Sequence, residues 1–197
     1  MSKLITTSKY LNYPINTKYQ IKQSNMKDIY LALAHARDSI NRPLATRYTV
    51  SLNNDHSFDI KKLTRIVKNT FKETGFSFIY SFEYVERKGL HLEMMIVTDQ
   101  SKYSPEQVRK VLIKALINMD GVIITTENEY TKLALNYHEV RDKYLETGVK
   151  AGHNLKNEIH FEACVYRASY LAKQDNKQQV KYRKKFGTIV GKTSNEC

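Results

Sequence analysis

Three side chains on what reads as a single β-hairpin are of the types that hold a hard divalent cation. In Leu90-His91-Leu92-Glu93-Met94-Met95-Ile96-Val97 a histidine and a glutamate two residues apart interrupt an apolar run. Period-two strand geometry puts both on one face. Antiparallel sheets commonly leave one face wet, and on such a face the pair would simply be solvated. Met95 and Val97 continue the same face, however, so the carboxylate is expected at a cleft, where a buried charge requires a partner. Glu83, eight residues before His91, lies on the preceding strand and comes close when the chain folds back across Glu86-Arg87-Lys88-Gly89. One imidazole and two carboxylates suit Mn²⁺ or Mg²⁺, with the histidine favouring Mn²⁺. Zinc is disfavoured because no cysteine is near.

A second set of reactive groups falls late in the chain, in Tyr166-Arg167-Ala168-Ser169-Tyr170-Leu171-Ala172-Lys173. On a helix, Tyr166 and Tyr170 are i, i+4 neighbours and Lys173 follows at i+3, so the three share a face. Paired tyrosines are routinely half-buried packing residues. A phenol titrates near pKa ~10 and is a poor nucleophile unless a cation favours its phenolate. Beside a metal that draws charge off phosphoryl oxygens, a tyrosine and a lysine make a sufficient kit for phosphodiester transesterification. Two tyrosines would allow two successive transfers without loss of the covalent link.

Both sets need elements to position them. Residues 1–25 have no strong period and read as a basic arm. Met26 to Asn41 has helical spacing and stops before Pro43. Arg47 to Leu52 reads as a strand ending at an Asn-Asn-Asp turn. Phe58 to Thr74 reads as a helix with Ser57 as N-cap and Gly75 as its stop. Phe76 to Val85 and Leu90 to Val97 form the hairpin. Ser104-Pro105 opens a helix running to Met119. Val122 to Thr126 reads as a strand, the stretch to Asn154 is ambiguous, and Asn157 to Gln174 reads as the last helix, followed by a basic tail. The order implies an α+β fold, with a central antiparallel sheet of four or five strands flanked by helices.

Bulk properties fit one domain: 197 residues with a formal charge of +12. The basic excess lies at the ends, with eight basic against two acidic residues in 1–50 and nine against four in 156–197. Such an excess faces a polyanion. The candidate phosphate contacts are Lys181, Arg183, Lys184 and Lys185 in the tail, with Arg47, Arg87, Lys88 and Arg167, all sequence-neutral in character. Two cysteines cannot build a disulfide framework, and the N-terminus lacks a signal-peptide stretch, so a reducing cytoplasm is expected. No run approaches the roughly 18 apolar residues of a membrane span. Gly187 to Thr193 resembles a P-loop but has one residue too few between its glycines, which argues against ATP binding and helicase activity in this chain. His153 and His160 read as surface or helix-start histidines.

Taken in order, Tyr48-Thr49-Val50-Ser51-Leu52, His91-Leu92-Glu93 and Tyr170-Leu171-Ala172-Lys173 resemble the three motifs of the HUH endonucleases of rolling-circle replication. With Tyr166 in front, the last motif looks like the two-tyrosine branch. Glu83 to Val97 and Tyr166 to Lys173 are most similar to inovirus gene-two-type initiators and to proteins with the YagK/YfjJ C-terminal domain. Glu93 stands where most relatives carry a second histidine, and the third ligand maps to Glu83 rather than Glu86.

The resemblance implies an HUH/RRM-like palm over residues 26–190, between the arm and a tail at 191–197. It implies metal ligands His91, Glu93 and Glu83, with Tyr170 and Tyr166 as nucleophiles assisted by Lys173. The implied partner is single-stranded DNA at a replication origin, with a host helicase and polymerase and no membrane, in the bacterial cytoplasm. Two other readings stay open on sequence grounds: a DNA-binding repressor or origin-binding protein on the same scaffold, and a basic RNA-binding protein.

Overall fold

The computed structural model describes residues 3–127, 130–133, 135–138, 152–175, 177, 179–182 and 184–191. In chain order its elements are β1 (Lys9–Tyr10), β2 (Tyr13–Pro14), α1 (Gln23–Ser39), β3 (Pro43–Ser51), α2 (Ile60–Phe71), β4 (Phe76–Val85) and β5 (Gly89–Asp99). They continue with α3 (Pro105–Leu116), β6 (Ile124–Glu127), β7 (Tyr130–Leu133), β8 (Leu135–His138), β9 (His153–Asn154), α4 (Glu158–Ser169), a 3₁₀ turn (Tyr170–Ala172) and β10 (Phe186–Gly191). The main sheet runs β10-β4-β5-β3-β8, all antiparallel, with the short β9 also on β3. Four helices flank it, and the fold is the expected α+β arrangement.

Local chemistry explains most of these elements. Ser104 accepts from the Gln107 amide while the Gln107 side chain accepts from the Ser104 amide, a complete capping box with Pro105 in the first turn. The Asn157 side chain accepts from the His160 amide and starts α4. α2 corrects the sequence reading: its N-cap is Asp59, which accepts from the amides of Lys61 and Lys62, while Ser57 bonds Asp55 instead. A carboxylate at a helix start also meets the positive end of the helix dipole. Gly75, at φ +74, reverses the chain into β4.

The two faces of the sheet are covered differently. Phe76, Phe78, Tyr80 and Phe82 of β4 point with Leu90, Leu92, Met94 and Ile96 of β5 toward α2 and α3. Ile79, Met95, Val97 and Ala45 point the other way, under α1 and α4. Two segments without a strong period in the sequence pack into the fold. Residues 3–25, within the stretch read as a basic arm, dock on the fold: Ile15 and Ile21 are buried in the α1–α4 core, and the Tyr13 hydroxyl donates to Glu158 at 3.0 Å. Part of the basic stretch after the 3₁₀ turn also packs on the sheet. Residues 186–191, including the P-loop-like glycines, form an edge strand on β4, where a Cβ at Gly187 would lie 2.6 Å from the Tyr80 ring. No helix among the described residues is long and apolar enough to cross a membrane.

Candidate metal centre

Sheet register assembles the site. Glu83 pairs directly with His91 across β4 and β5, and Ser51 of β3 flanks His91 on its other side. One pleat along, Ser81, Glu93 and Thr49 form the next row, followed by Ile79, Met95 and Arg47. Directly paired residues share a face, so two polar rows lie at the end of the apolar floor beneath α1 and α4. Glu83, His91 and Glu93 are all buried, and each can offer one ligand atom within 4.8 Å of the others. His91 and Glu93 line a cleft of about 400 Å³ together with Lys88, Ser51 and Tyr170.

Each potential ligand is oriented by a neighbour. The His91 Nδ1 lies 3.1 Å from the Gly89 carbonyl, which holds that nitrogen as the donor and turns the Nε2 lone pair into the cleft. Glu93 commits Oε2 to Arg47 (2.9 Å from Nη2, 3.3 Å from Nε) and to the Thr49 hydroxyl at 2.8 Å. Its Oε1 then faces His91 Nε2 at 3.8 Å. Glu83 Oε2 accepts from the Tyr170 hydroxyl at 3.0 Å and from Lys173 Nζ at 2.6 Å, and lies 3.4 Å from His91 Nε2. Glu83 Oε1 is buried and accepts no hydrogen bond from any described residue. An orphaned carboxylate oxygen is costly in an apolar interior and suits a cation ligand. The group can therefore hold a metal ion through one imidazole nitrogen and two carboxylates, with positions left open on the cleft side.

The proton equilibria follow from these contacts. Burial alone would lower His91, but the bond to Glu83, the Gly89 carbonyl and the two carboxylate charges outweigh it and raise the imidazole above its ordinary value. Burial likewise opposes the charge on Glu93. Arg47, then Thr49 and His91, overcome it and hold the carboxyl below the usual range. Tyr170 is pushed up by burial first and by the charges of Glu83 and Glu93 next, with Arg47 opposing, so the metal-free phenol is firmly protonated.

The tyrosine motif is placed by a change of helix type. α4 is regular to Ser169, and the chain then tightens into the 3₁₀ turn, with the Lys173 amide bonding the Tyr170 carbonyl at 3.2 Å. In 3₁₀ geometry residues i and i+3 stack one above the other. Lys173 Nζ accordingly lies 2.6 Å from the Tyr170 hydroxyl and 3.8 Å from its ring centroid. An antiparallel bridge from Ile21 to Lys173 fixes the end of the turn, and Tyr19 packs edge-on against Tyr170. Tyr166 is half-buried on α4, four residues before Tyr170.

The predicted phosphate contacts separate into three groups. Arg87 and Lys88 are exposed in the β4–β5 turn, and Lys181 and Lys184 are exposed ahead of β10. Lys185 is half-buried, its Nζ donating to the Lys177 carbonyl at 2.8 Å. Arg47 and Arg167 are occupied inside the fold: Arg47 binds Glu93 and stacks on Tyr170 at 4.5 Å, and Arg167 donates to His153 Nε2 at 3.0 Å. Arg183 lies outside the described residues. His153, read as a surface or helix-start residue, is buried and neutral, its pKa lowered to about 3 by burial, Arg167 and His160. Sequence reasoning missed Thr49 and Arg47 as partners of Glu93. The signal was present in β3, where Arg47, Thr49 and Ser51 alternate with the apolar Tyr48, Val50 and Leu52.

Neither curated proteins nor solved structures yield a match to this sequence. Among protein families, the YagK/YfjJ C-terminal domain matches residues 6–189, a span that includes the docked lead-in, the hairpin, the tyrosine turn and most of β10. That span covers nearly the whole chain, which therefore belongs to the YagK/YfjJ C-terminal domain family.

Proposed function

We propose that this chain is a rolling-circle replication initiator of the HUH type, which nicks and rejoins single-stranded DNA through a 5′-phosphotyrosine with Tyr170 as the first nucleophile. The observation that carries this reading is the Tyr170 hydroxyl, held 3.0 Å from Glu83 and 2.6 Å from Lys173 beside a buried group able to hold a metal. Glu83, His91 and Glu93 would hold Mn²⁺ or Mg²⁺. Such an ion, when bound, draws charge off a non-bridging oxygen of the scissile phosphate.

The chain's own residues account for the rest. Tyr170 oxygen bonds to phosphorus as the bond from phosphorus to the 3′-oxygen breaks. The phenolic proton leaves along the hydrogen bond to Glu83 and is balanced by the proton taken up by the departing 3′-oxygen. Lys173 favours the developing phenolate. The products are a 5′-phosphotyrosine and a free 3′-hydroxyl for a host polymerase, and Tyr166 serves the later, rejoining transfer. Lys88 at the cleft, with Arg87, Lys181 and Lys184, meets backbone phosphates. A host helicase in the bacterial cytoplasm would supply strand separation.

A second reading, an origin-binding or repressor protein without cleavage, is favoured by one specific contact: the Arg47 guanidinium neutralises Glu93. The test uses a 3′-labelled pool of random-sequence single-stranded DNA with Mn²⁺, analysed on denaturing gels. A covalent adduct is expected with the wild type and with Tyr166→Phe in a single turnover, and none with Tyr170→Phe. Binding without an adduct would sink the nuclease reading in favour of the second, and a preference for an equivalent RNA pool would overturn both.

A further inference from the structure

Lys173 lines a second cavity of about 430 Å³, which shares no lining residue with the cleft and whose lining is unusually one-signed. Among the described residues it gathers Lys22, Lys173, Lys177, Lys184 and Lys185, with Asp28 the one acidic residue in its lining. These lysines come from three stretches of chain brought together by backbone bonds. The Lys22 amide donates to the Ala172 carbonyl at 3.0 Å, the Gln174 amide to the Gln20 carbonyl at 2.8 Å, and the Phe82 amide to the Lys185 carbonyl at 2.8 Å. Lys177 is anchored at its tip, its Nζ donating to the Leu171 carbonyl at 3.3 Å, while Lys185 reaches back to the Lys177 carbonyl.

A converging set of ammonium groups with one carboxylate among them repels itself, and the repulsion acts on a group already removed from water. Burial first, then the charges of Lys173, Lys22 and Lys185, lower Lys177 to about 8 against the opposing charge of Glu83. Lys173 is only 1% exposed and spends its charge on Glu83 and Tyr170. Among the described lining residues, Asp28 is the carboxylate available to the other four lysines. A multiply acceptor-rich anion would relieve that repulsion, and phosphoryl oxygens fit the size and charge of the opening. The basic surface also continues past the cavity. Lys22 lines both this cavity and an adjoining groove that carries Lys3, Lys27 and the ring of Tyr10. Lysines along a path with an aromatic beside them are what a single strand's backbone and bases use.

We propose that the lysine cavity beside Lys173 seats a backbone phosphate of the single strand, and that the strand continues over Lys22 into the Lys3–Lys27 groove. The inference rests on the nucleic-acid reading above but not on cleavage. It assigns an anchoring role to Lys22 and Lys177, and gives Lys184 and Lys185 a shared ligand with them. The strand would then pass Tyr170, with Lys173 as the wall between the two phosphates.

The test is fluorescence anisotropy of a labelled single-stranded DNA oligonucleotide, in metal-free buffer, across a series of KCl concentrations. The variants are Lys177→Gln with Lys184→Gln, and Lys22→Gln with Lys184→Gln, the second leaving the Lys177 anchor intact. The control is Lys61→Gln with Lys68→Gln, exposed lysines of α2 on the other face of the sheet, which removes the same charge. Each lost phosphate contact should flatten the plot of log affinity against log salt by about 0.7. Because the paired lysines share one phosphate, both cavity variants should lose up to about 0.7 from the slope while the control matches wild type. Equal slopes in cavity and control variants would overturn the proposal. Inorganic pyrophosphate, titrated calorimetrically, forms the second arm: weakened pyrophosphate binding with an unchanged DNA slope would identify a small-anion site and overturn the strand assignment. If no adduct forms with Mn²⁺ while the cavity variants still lose slope, the nuclease reading fails and this one stands.

Discussion

On the α2–α3 side of the sheet, aromatic and aliphatic side chains fill every pleat of β4 and β5: Phe82 stacks on Tyr182 at 4.1 Å, and Phe71 meets Tyr103 edge-on at 4.9 Å. On the α1–α4 side the same two strands begin apolar, at Ile79 and Met95, and end in a buried histidine and two buried glutamates. One backbone thus supports a dry core and an ionisable pocket a few ångströms apart. The apolar face supplies the free energy of folding, roughly 25 cal/mol for each Å² of apolar surface removed from water. The polar rows cost desolvation, which ion pairs rarely repay in full. What the polar rows gain is geometry: each carboxylate has one oxygen held by neighbours and the other turned toward the histidine or left without a partner.

The largest expected effect tests whether the two faces are independent. Phe71→Ala on the α2 face should lower unfolding stability by about 3–5 kcal/mol, as for other fully buried phenylalanines. The folded fraction should still bind Mn²⁺ with wild-type affinity, read by electron paramagnetic resonance of the free ion. A loss of metal affinity in that variant would mean that the faces are coupled and would break the comparison.

A smaller effect is expected from the row beneath the site. Thr49→Val keeps the strand-favouring shape and removes the hydroxyl that bonds Glu93 Oε2. Partners of this kind are typically worth 10–100-fold in metal affinity, or about 1.4–2.7 kcal/mol. The melting temperature should move much less than in Phe71→Ala. If Mn²⁺ affinity stays within twofold of wild type, Arg47 alone orients the carboxylate.

The contrast between the faces also explains what could be read from the sequence. Period-two alternation on β5 put His91 and Glu93 on one face, and a short turn brought Glu83 opposite, because hairpin register is a local property. The cap at Ser104 was legible for the same reason. The edge strand Phe186–Gly191 was not, since its ladder is provided by β4, more than a hundred residues earlier, and its glycines resemble loop punctuation. Ile15 and Ile21 are buried singly by α1 and α4, so they leave no period in residues 1–25. Arg47 looked like a phosphate contact because its type is basic, whereas its fate was decided by Glu93 on the neighbouring strand. The 3₁₀ turn at Tyr170 was hidden because Leu171 and Ala172 are good helix formers, and the tightening is imposed by the bridge to Ile21.

The smallest effect distinguishes two buried histidines by the direction of their pH dependence. His91, raised by Glu83, Gly89 and Glu93 against the cost of burial, binds its proton more tightly folded than unfolded. Its contribution to the stability of the metal-free protein is complete below about pH 6.5, the ordinary histidine value, and is lost as pH rises through the raised folded value. His153, lowered to about 3, behaves oppositely: its contribution is complete above about 6.5 and is lost as pH falls toward 3. The slopes cannot exceed about 1.4 kcal/mol per pH unit for either group, and the two windows meet without overlapping. Mn²⁺ requires the Nε2 lone pair of His91, so its affinity should climb with pH, by at most tenfold per unit, over the same window in which metal-free stability declines. His91→Gln should remove both trends above pH 6.5 and leave the acid limb from His153 in place. Survival of the alkaline decline in stability in that variant would show that a group other than His91 carries the proton.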